Sequence, residues 1–163
     1  MTVTKKTSVT VAKGELDRPA GVARYLAPVV RDLVALAVNG KQAHWHVRGA
    51  NFIGVHEFLD DLVDHAQEGA DTVAERIVAL GLPVDARIGT VAAKTSTPEM
   101  SDGFQASVVT VAEVVAQLDA VIETIYTAID GLDDIDLPSQ DIAIELARQL
   151  DKDRWFLFSH YAD

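Results

Sequence analysis

Apolar residues recur at steps of three and four along four separate segments, and this helical period restricts the fold more than any other feature of the sequence. The first stripe, Leu26, Val29, Val30, Leu33, Leu36, Ala37 and Gly40, is continued by His44 and defines a helix from about Pro19 to Arg48. Gly49, Ala50 and Asn51 break it. Val55, Leu59, Leu62, Ala66, Ala70, Val73, Ile77 and Leu80 make a second stripe, stopped by Gly81 and Pro83. Val108, Val111, Val115, Leu118, Ile122, Ile125 and Ile129 mark a third, closed by Gly131. Ile142, Leu146, Leu150, Arg154 and Phe158 mark a fourth after Pro138. An all-α domain of four helices is expected.

Between the second and third stripes, Leu82 to Gly103 is mixed, with Gly89, Pro98 and a Thr/Ser cluster, and reads as a long connection with room for a short helix. Such a segment can cross a bundle, so the helices form two hairpins joined by a crossover, the ferritin-like arrangement. Residues 1–18 read as a flexible N-terminal tail and 19–163 as the bundle. Composition agrees, since 48% hydrophobic but only 6% aromatic residues suit packed helices better than a turn-rich sandwich. No cysteine is present, which excludes disulfides and thiolate metal sites, so a bound metal must be held by His, Asp and Glu. The net charge of -11 argues against a basic nucleic-acid surface over the whole domain, and the acidity serves either solvation or cation handling. Met1 to Gly14 lacks the apolar run of a secretory signal, and no membrane-length apolar run occurs, so a soluble cytoplasmic protein is expected.

The second helix carries the chemistry. His56 and Asp60 are four residues apart, as are Asp71 and Glu75, so each pair sets two metal-ligand types about one turn apart on one face. At about 100° per residue all four fall in a sector roughly 100° wide, shared with Asp64 and Gln67. About 16 Å of helix axis separates Asp60 from Asp71, too far for one chain to place both pairs on one ion. Either there are two half-sites or a second chain takes part. The midpoint of Asp60 and Asp71 is also that of His56 and Glu75, near His65 and Ala66. Two copies packed antiparallel across a twofold axis at that point would set His56 and Asp60 of one chain against Asp71 and Glu75 of the other, twice per dimer. His44, at the end of the first helix, either adds an imidazole to that site or serves as a core or capping histidine. His46 points to another face and His65 lies opposite the stripe, so both read as structural or solvent-facing. Mixed imidazole and carboxylate ligands suit iron and, less selectively, manganese or zinc.

The segment Lys41-Gln42-Ala43-His44-Trp45-His46-Val47-Arg48-Gly49-Ala50-Asn51-Phe52, followed by Val55-His56-Glu57-Phe58-Leu59-Asp60 and by Asp71-Thr72-Val73-Ala74-Glu75-Arg76, closely resembles the signature of the Dps family (DNA-binding proteins from starved cells). The resemblance extends over the bundle to Leu150-Asp151-Lys152 and Trp155, and is weak in the first eighteen residues. It implies a ferroxidase centre in which His44, His56 and Asp60 of one subunit meet Asp71 and Glu75 of its twofold mate. It also implies a dodecameric shell built from twofold dimers, with Fe(II) oxidised preferentially by hydrogen peroxide and stored as ferric mineral against oxidative damage. Trp45 beside His44 is then either an electron donor or a packing tryptophan. Asp134, Asp136 and Asp141, with Asp141 the best match, resemble the family's acidic pore region and equally suit a helix N-terminus.

Two rivals fail on the residues. A di-iron site inside each bundle needs Glu-x-x-His motifs, which are absent. A zinc protease needs a second His where Asp60 stands. An alternative from another class is a DNA-compacting structural protein, nucleoid-associated. Lys5, Lys6, Lys13 and Arg18 against Glu15 and Asp17 give the tail a net charge of about plus two, and many tails on one assembly would bind phosphates together. No comparable basic tail is expected after the fourth helix, where the sequence reads Ser159-His160-Tyr161-Ala162-Asp163.

Overall fold

The computed structural model describes residues 13–160, and side chains from residue 17 onward. Helix α1 spans Lys13–His46, α2 Phe52–Ala79, α4 Ser107–Leu132 and α5 Leu137–Phe158. These four pack as two hairpins, α1 on α2 and α4 on α5, with α1 also lying along α4. The connection between hairpins carries the short helix α3, Ile88–Lys94, packed on α1. Among the described residues no helix is long and apolar enough to cross a membrane.

The core is built from the stripes. Leu26, Leu33 and Leu36 of α1, Leu59, Leu62 and Ile77 of α2, and Leu118 and Ile125 of α4 are all fully buried. At roughly 1.5–3 kcal/mol for each such side chain, their burial is the main force assembling the bundle. The fourth stripe departs from expectation. Helix α5 buries Ala143, Ala147, Leu150 and Leu157, while Arg154 pairs with Asp119 on the outside and Phe158 is exposed. Each step of four advances about 40° beyond a full turn, so a run spaced by fours alone cannot stay on one face.

Helix ends follow local chemistry. Asn51, at φ 59°, and Gly49, at φ 93°, take left-handed backbone between α1 and α2, a conformation both residue types tolerate. Asp136 caps α5 by accepting from the Ser139 backbone N–H at 3.2 Å, with Pro138 in the first turn. Gly131, expected as a stop, lies within α4. A Cβ there would come within 2.2 Å of the Tyr25 ring, so the glycine gives α1 room to approach α4.

Two features leave no periodic trace in the sequence. Val47–Arg48 and Gln105–Ala106 form two-residue parallel strands, β1 and β2, that tie the α1–α2 turn to the end of the crossover. The crossover is also pinned by buried Asp32 of α1, whose carboxylate accepts from Thr95 Oγ1 (2.9 Å), Ser96 N (2.8 Å), Ser96 Oγ (2.7 Å) and Thr124 Oγ1 (2.8 Å). Helix α1 starts at Lys13 and encloses Pro19, so residues 13–18, expected in the tail, are helical. The remainder of the tail, 1–12, lies outside the described residues.

Candidate metal centre

His44 is the last-turn histidine of α1 and His56 lies in the second turn of α2, so the tight turn between the helices brings the two rings together. They stack with centroids 3.7 Å apart and planes inclined by 22°. Each ring donates from Nδ1 to the other residue's backbone carbonyl, His44 to His56 O at 2.8 Å and His56 to His44 O at 2.9 Å. A carbonyl only accepts, so both rings carry their proton on Nδ1 and leave Nε2 with a free lone pair. Such an outer hydrogen bond orients a metal-ligating histidine and fixes its tautomer.

Asp60, one turn after His56, places Oδ1 3.2 Å from His44 Nδ1. The same oxygen receives the Lys41 ammonium. That hydrogen bond, above all, holds the Asp60 carboxyl below its ordinary range against a smaller upward push from desolvation, with the Lys41 charge adding to the lowering. Asp60 is therefore ionised at neutral pH and half-exposed, with the Lys41 ammonium as its counter-charge. Lys41 is absent from the sequence expectation, although its position three residues before His44 sets it on the same face of α1.

Asp71 and Glu75 stand further along the same exposed stripe as Asp64 and Gln67. Neither has a hydrogen-bond or ion-pair partner among the described residues. Asp71 edges an apolar groove of about 370 Å³ walled by Val34 and Val38 of α1, Ala70 and Ala74 of α2, and Val84 of the crossover. A second depression sharing Ala37, Val38 and Gln67 extends this face to Trp45, which is 62% exposed and not packed into the core. Thus one chain brings together His44, His56 and Asp60 and leaves Asp71 and Glu75 apart from them. Among the described residues no three His, Asp or Glu side chains are grouped to hold a metal within one chain.

The other titratable positions resolve differently. His46 lies edge-on to Phe104, with centroids 5.3 Å apart, and contacts Gln42. His65 donates from Nδ1 to buried Asp153 of α5 at 3.0 Å. Asp136 is buried, capping α5 and receiving Arg76 at 2.6 Å, which is the helix-terminal reading and removes it from any pore lining. Asp134 and Asp141 are exposed.

Fold and site together define a class: residues 24–163 match the ferritin-like domain. The chain is 39% identical over 124 residues to the DNA protection during starvation protein of Mycolicibacterium smegmatis, covering 74% of this chain and 66% of that one, just under two thirds. It is 36% identical over 136 residues to that of Agrobacterium fabrum, covering 78% of this chain and 80% of the relative. A solved structure of Dps from Microbacterium arborescens in the high iron form superposes with a TM-score of 0.88 at 52% identity, covering 96% of this chain and all of that one. The chain belongs to the Dps family of the ferritin-like superfamily.

Proposed function

We propose that this chain is an iron-storage ferroxidase subunit whose catalytic site is shared across a twofold axis: His44, His56 and Asp60 from one subunit, Asp71 and Glu75 from its mate. The observation that carries this reading is the reciprocal Nδ1 lock of His44 and His56, which presents two free Nε2 atoms beside an ionised carboxylate. The apolar groove beside Asp71 gives a second copy a surface to cover, and the unpartnered Asp71 and Glu75 supply the missing charge. Twofold dimers would build a homo-oligomeric shell, a dodecamer by family resemblance.

Iron is the substrate. Two Fe(II) ions held at one site each give up one electron to one hydrogen peroxide, whose O–O bond breaks. Two protons complete two waters, leaving two Fe(III) for storage as mineral. Paired electron delivery avoids one-electron cleavage to hydroxyl radical, which is the protective logic. Asp and Glu favour Fe(III) over Fe(II), while the fixed imidazoles hold the entering Fe(II). The proposal includes cytoplasmic residence.

Anaerobic loading with Fe(II) followed by stoichiometric peroxide tests this, with ferric absorbance and radical trapping as readouts. Wild type is expected to oxidise iron rapidly with little radical, and Asp71→Ala/Glu75→Ala to lose this. An intact assembly of that variant matching wild type would remove these residues from catalysis. DNA compaction is the second reading, favoured by Lys5 and Lys6 and by the name of the M. smegmatis relative. Arg18 contributes less than its charge implies, since it faces Asp136 at 3.6 Å. Strongly salt-dependent DNA binding that disappears on deleting residues 1–12 would support the tail, and no binding at low salt would end it.

A further inference from the structure

On the face of α2 turned away from the proposed iron centre, His65 and Glu68 look across a cleft of about 410 Å³ to Glu145 and Gln149 of α5. The helices come close at Gly69, where a Cβ would stand 2.7 Å from Leu146 Cδ2. Behind the cleft lies Asp153, 2% exposed, whose carboxylate accepts from His65 Nδ1 at 3.0 Å and from Gln149 Nε2 at 3.1 Å. Gln149 Nε2 also stands 3.2 Å from His65 Nδ1, but its hydrogen bond goes to Asp153 and the carboxylate is the shorter partner of the ring, so Nδ1 donates to Asp153 and Nε2 is the nitrogen left to the half-open side of the ring.

A carboxylate behind an imidazole is the arrangement that orients metal-ligating histidines and raises their basicity. Glu68, three residues on, shares the histidine's face of α2. Glu145 stands on the opposite wall, and neither side-chain carboxylate has a hydrogen-bond or ion-pair partner among the described residues. A simple tie between α2 and α5 would account for His65 and Asp153, but not for a ring left 34% exposed at a cleft with two free carboxylates. One imidazole with two carboxylates suits a divalent transition-metal ion.

We propose that this cleft is a second divalent-cation site, with His65 Nε2 as anchor, Glu68 and Glu145 as carboxylate ligands and Asp153 as the positioning residue. It does not rest on the intersubunit centre. No three of these groups are gathered for a metal as they stand, so binding would turn the two glutamates, which are exposed, toward the ring. Arg148 lines the same cleft and weakens its hold on a dication.

Cobalt(II) titration of the assembled protein in an Asp71→Ala/Glu75→Ala background removes the carboxylate half of the other centre and keeps His44, His56 and Asp60 as a constant contribution, so this site is read as the difference between variants. His65→Ala is expected to remove one cobalt per chain. Asp153→Asn, which keeps the volume, should weaken that cobalt by about 10- to 100-fold. Glu145→Gln, an exposed change that leaves the bundle's packing untouched, should weaken it as well. Crystals soaked in zinc should show an anomalous peak about 2.0–2.1 Å from His65 Nε2. Cobalt isotherms unchanged in both His65→Ala and Glu145→Gln would overturn the proposal, as would zinc peaks elsewhere with none at Nε2.

Discussion

Replacing Asp32 with alanine should unfasten the crossover from the bundle. The Asp32 carboxylate accepts four hydrogen bonds, three of them from Thr95 and Ser96 on the crossover and one from Thr124 on α4. A hydrogen bond to a charged acceptor contributes about 1.5–3 kcal/mol. Ser96 is exposed and Thr95 and Thr124 are half-buried, so water replaces part of what is lost, and the total falls to about 3–5 kcal/mol. For a chain of 163 residues that corresponds to a midpoint lowered by roughly 9–15 °C, compared at one fixed subunit concentration. Thermal melts give the shift, and limited proteolysis between residues 82 and 106 should show early cleavage in the variant alone. A loss below about 1 kcal/mol with unchanged cleavage would refute the view that Asp32 pins the crossover.

Two further outcomes follow from charged contacts. Burial pushes the Asp136 carboxyl up, but hydrogen bonds from Ser139 and Arg76 and the Arg76 charge outweigh it, so its folded pKa lies below the ordinary 3.8. A depressed carboxylate stabilises above its unfolded pKa and loses that contribution as pH falls through the folded value. Asp136→Asn should therefore lower stability by about 1–3 kcal/mol at pH 7, with the gap to wild type closing below pH 3.8, as followed by denaturant titration across pH. Lys41→Met frees Asp60 from its ammonium. Because both side chains are more than a third exposed, zinc binding at the proposed centre should tighten by only about three- to fivefold. Unchanged or weaker binding would show that Lys41 does not compete with the metal.

The bundle was legible because burial imposes a period on each helix, and the α1 stripe, the α2 stripe up to Ile77 and all but the ends of the α4 stripe are buried where the period places them. Helix α5 was out of phase because Ile144, Trp155, Phe156 and Phe158 are exposed while its buried face sets the small Ala143 and Ala147 beside Leu150 and Leu157. The relative positions of His56, Asp60, Asp71 and Glu75 could be read from helix geometry alone, since they share one helix. Their neighbours could not. Lys41 on Asp60, Asp153 behind His65 and Asp32 under the crossover are contacts between distant segments, and no local pattern encodes them.

The central claim is that half of each site comes from another chain, and complementation tests it most directly. Chains carrying His56→Ala/Asp60→Ala and chains carrying Asp71→Ala/Glu75→Ala are each expected to be inactive with Fe(II) and peroxide. Unfolded together and reassembled in equal amounts, they should pair at random, and every mixed dimer has one site with all its native ligands. The account predicts recovery of about a quarter of wild-type ferroxidase activity. No recovery in assemblies shown to contain both chains would contradict a site shared between subunits.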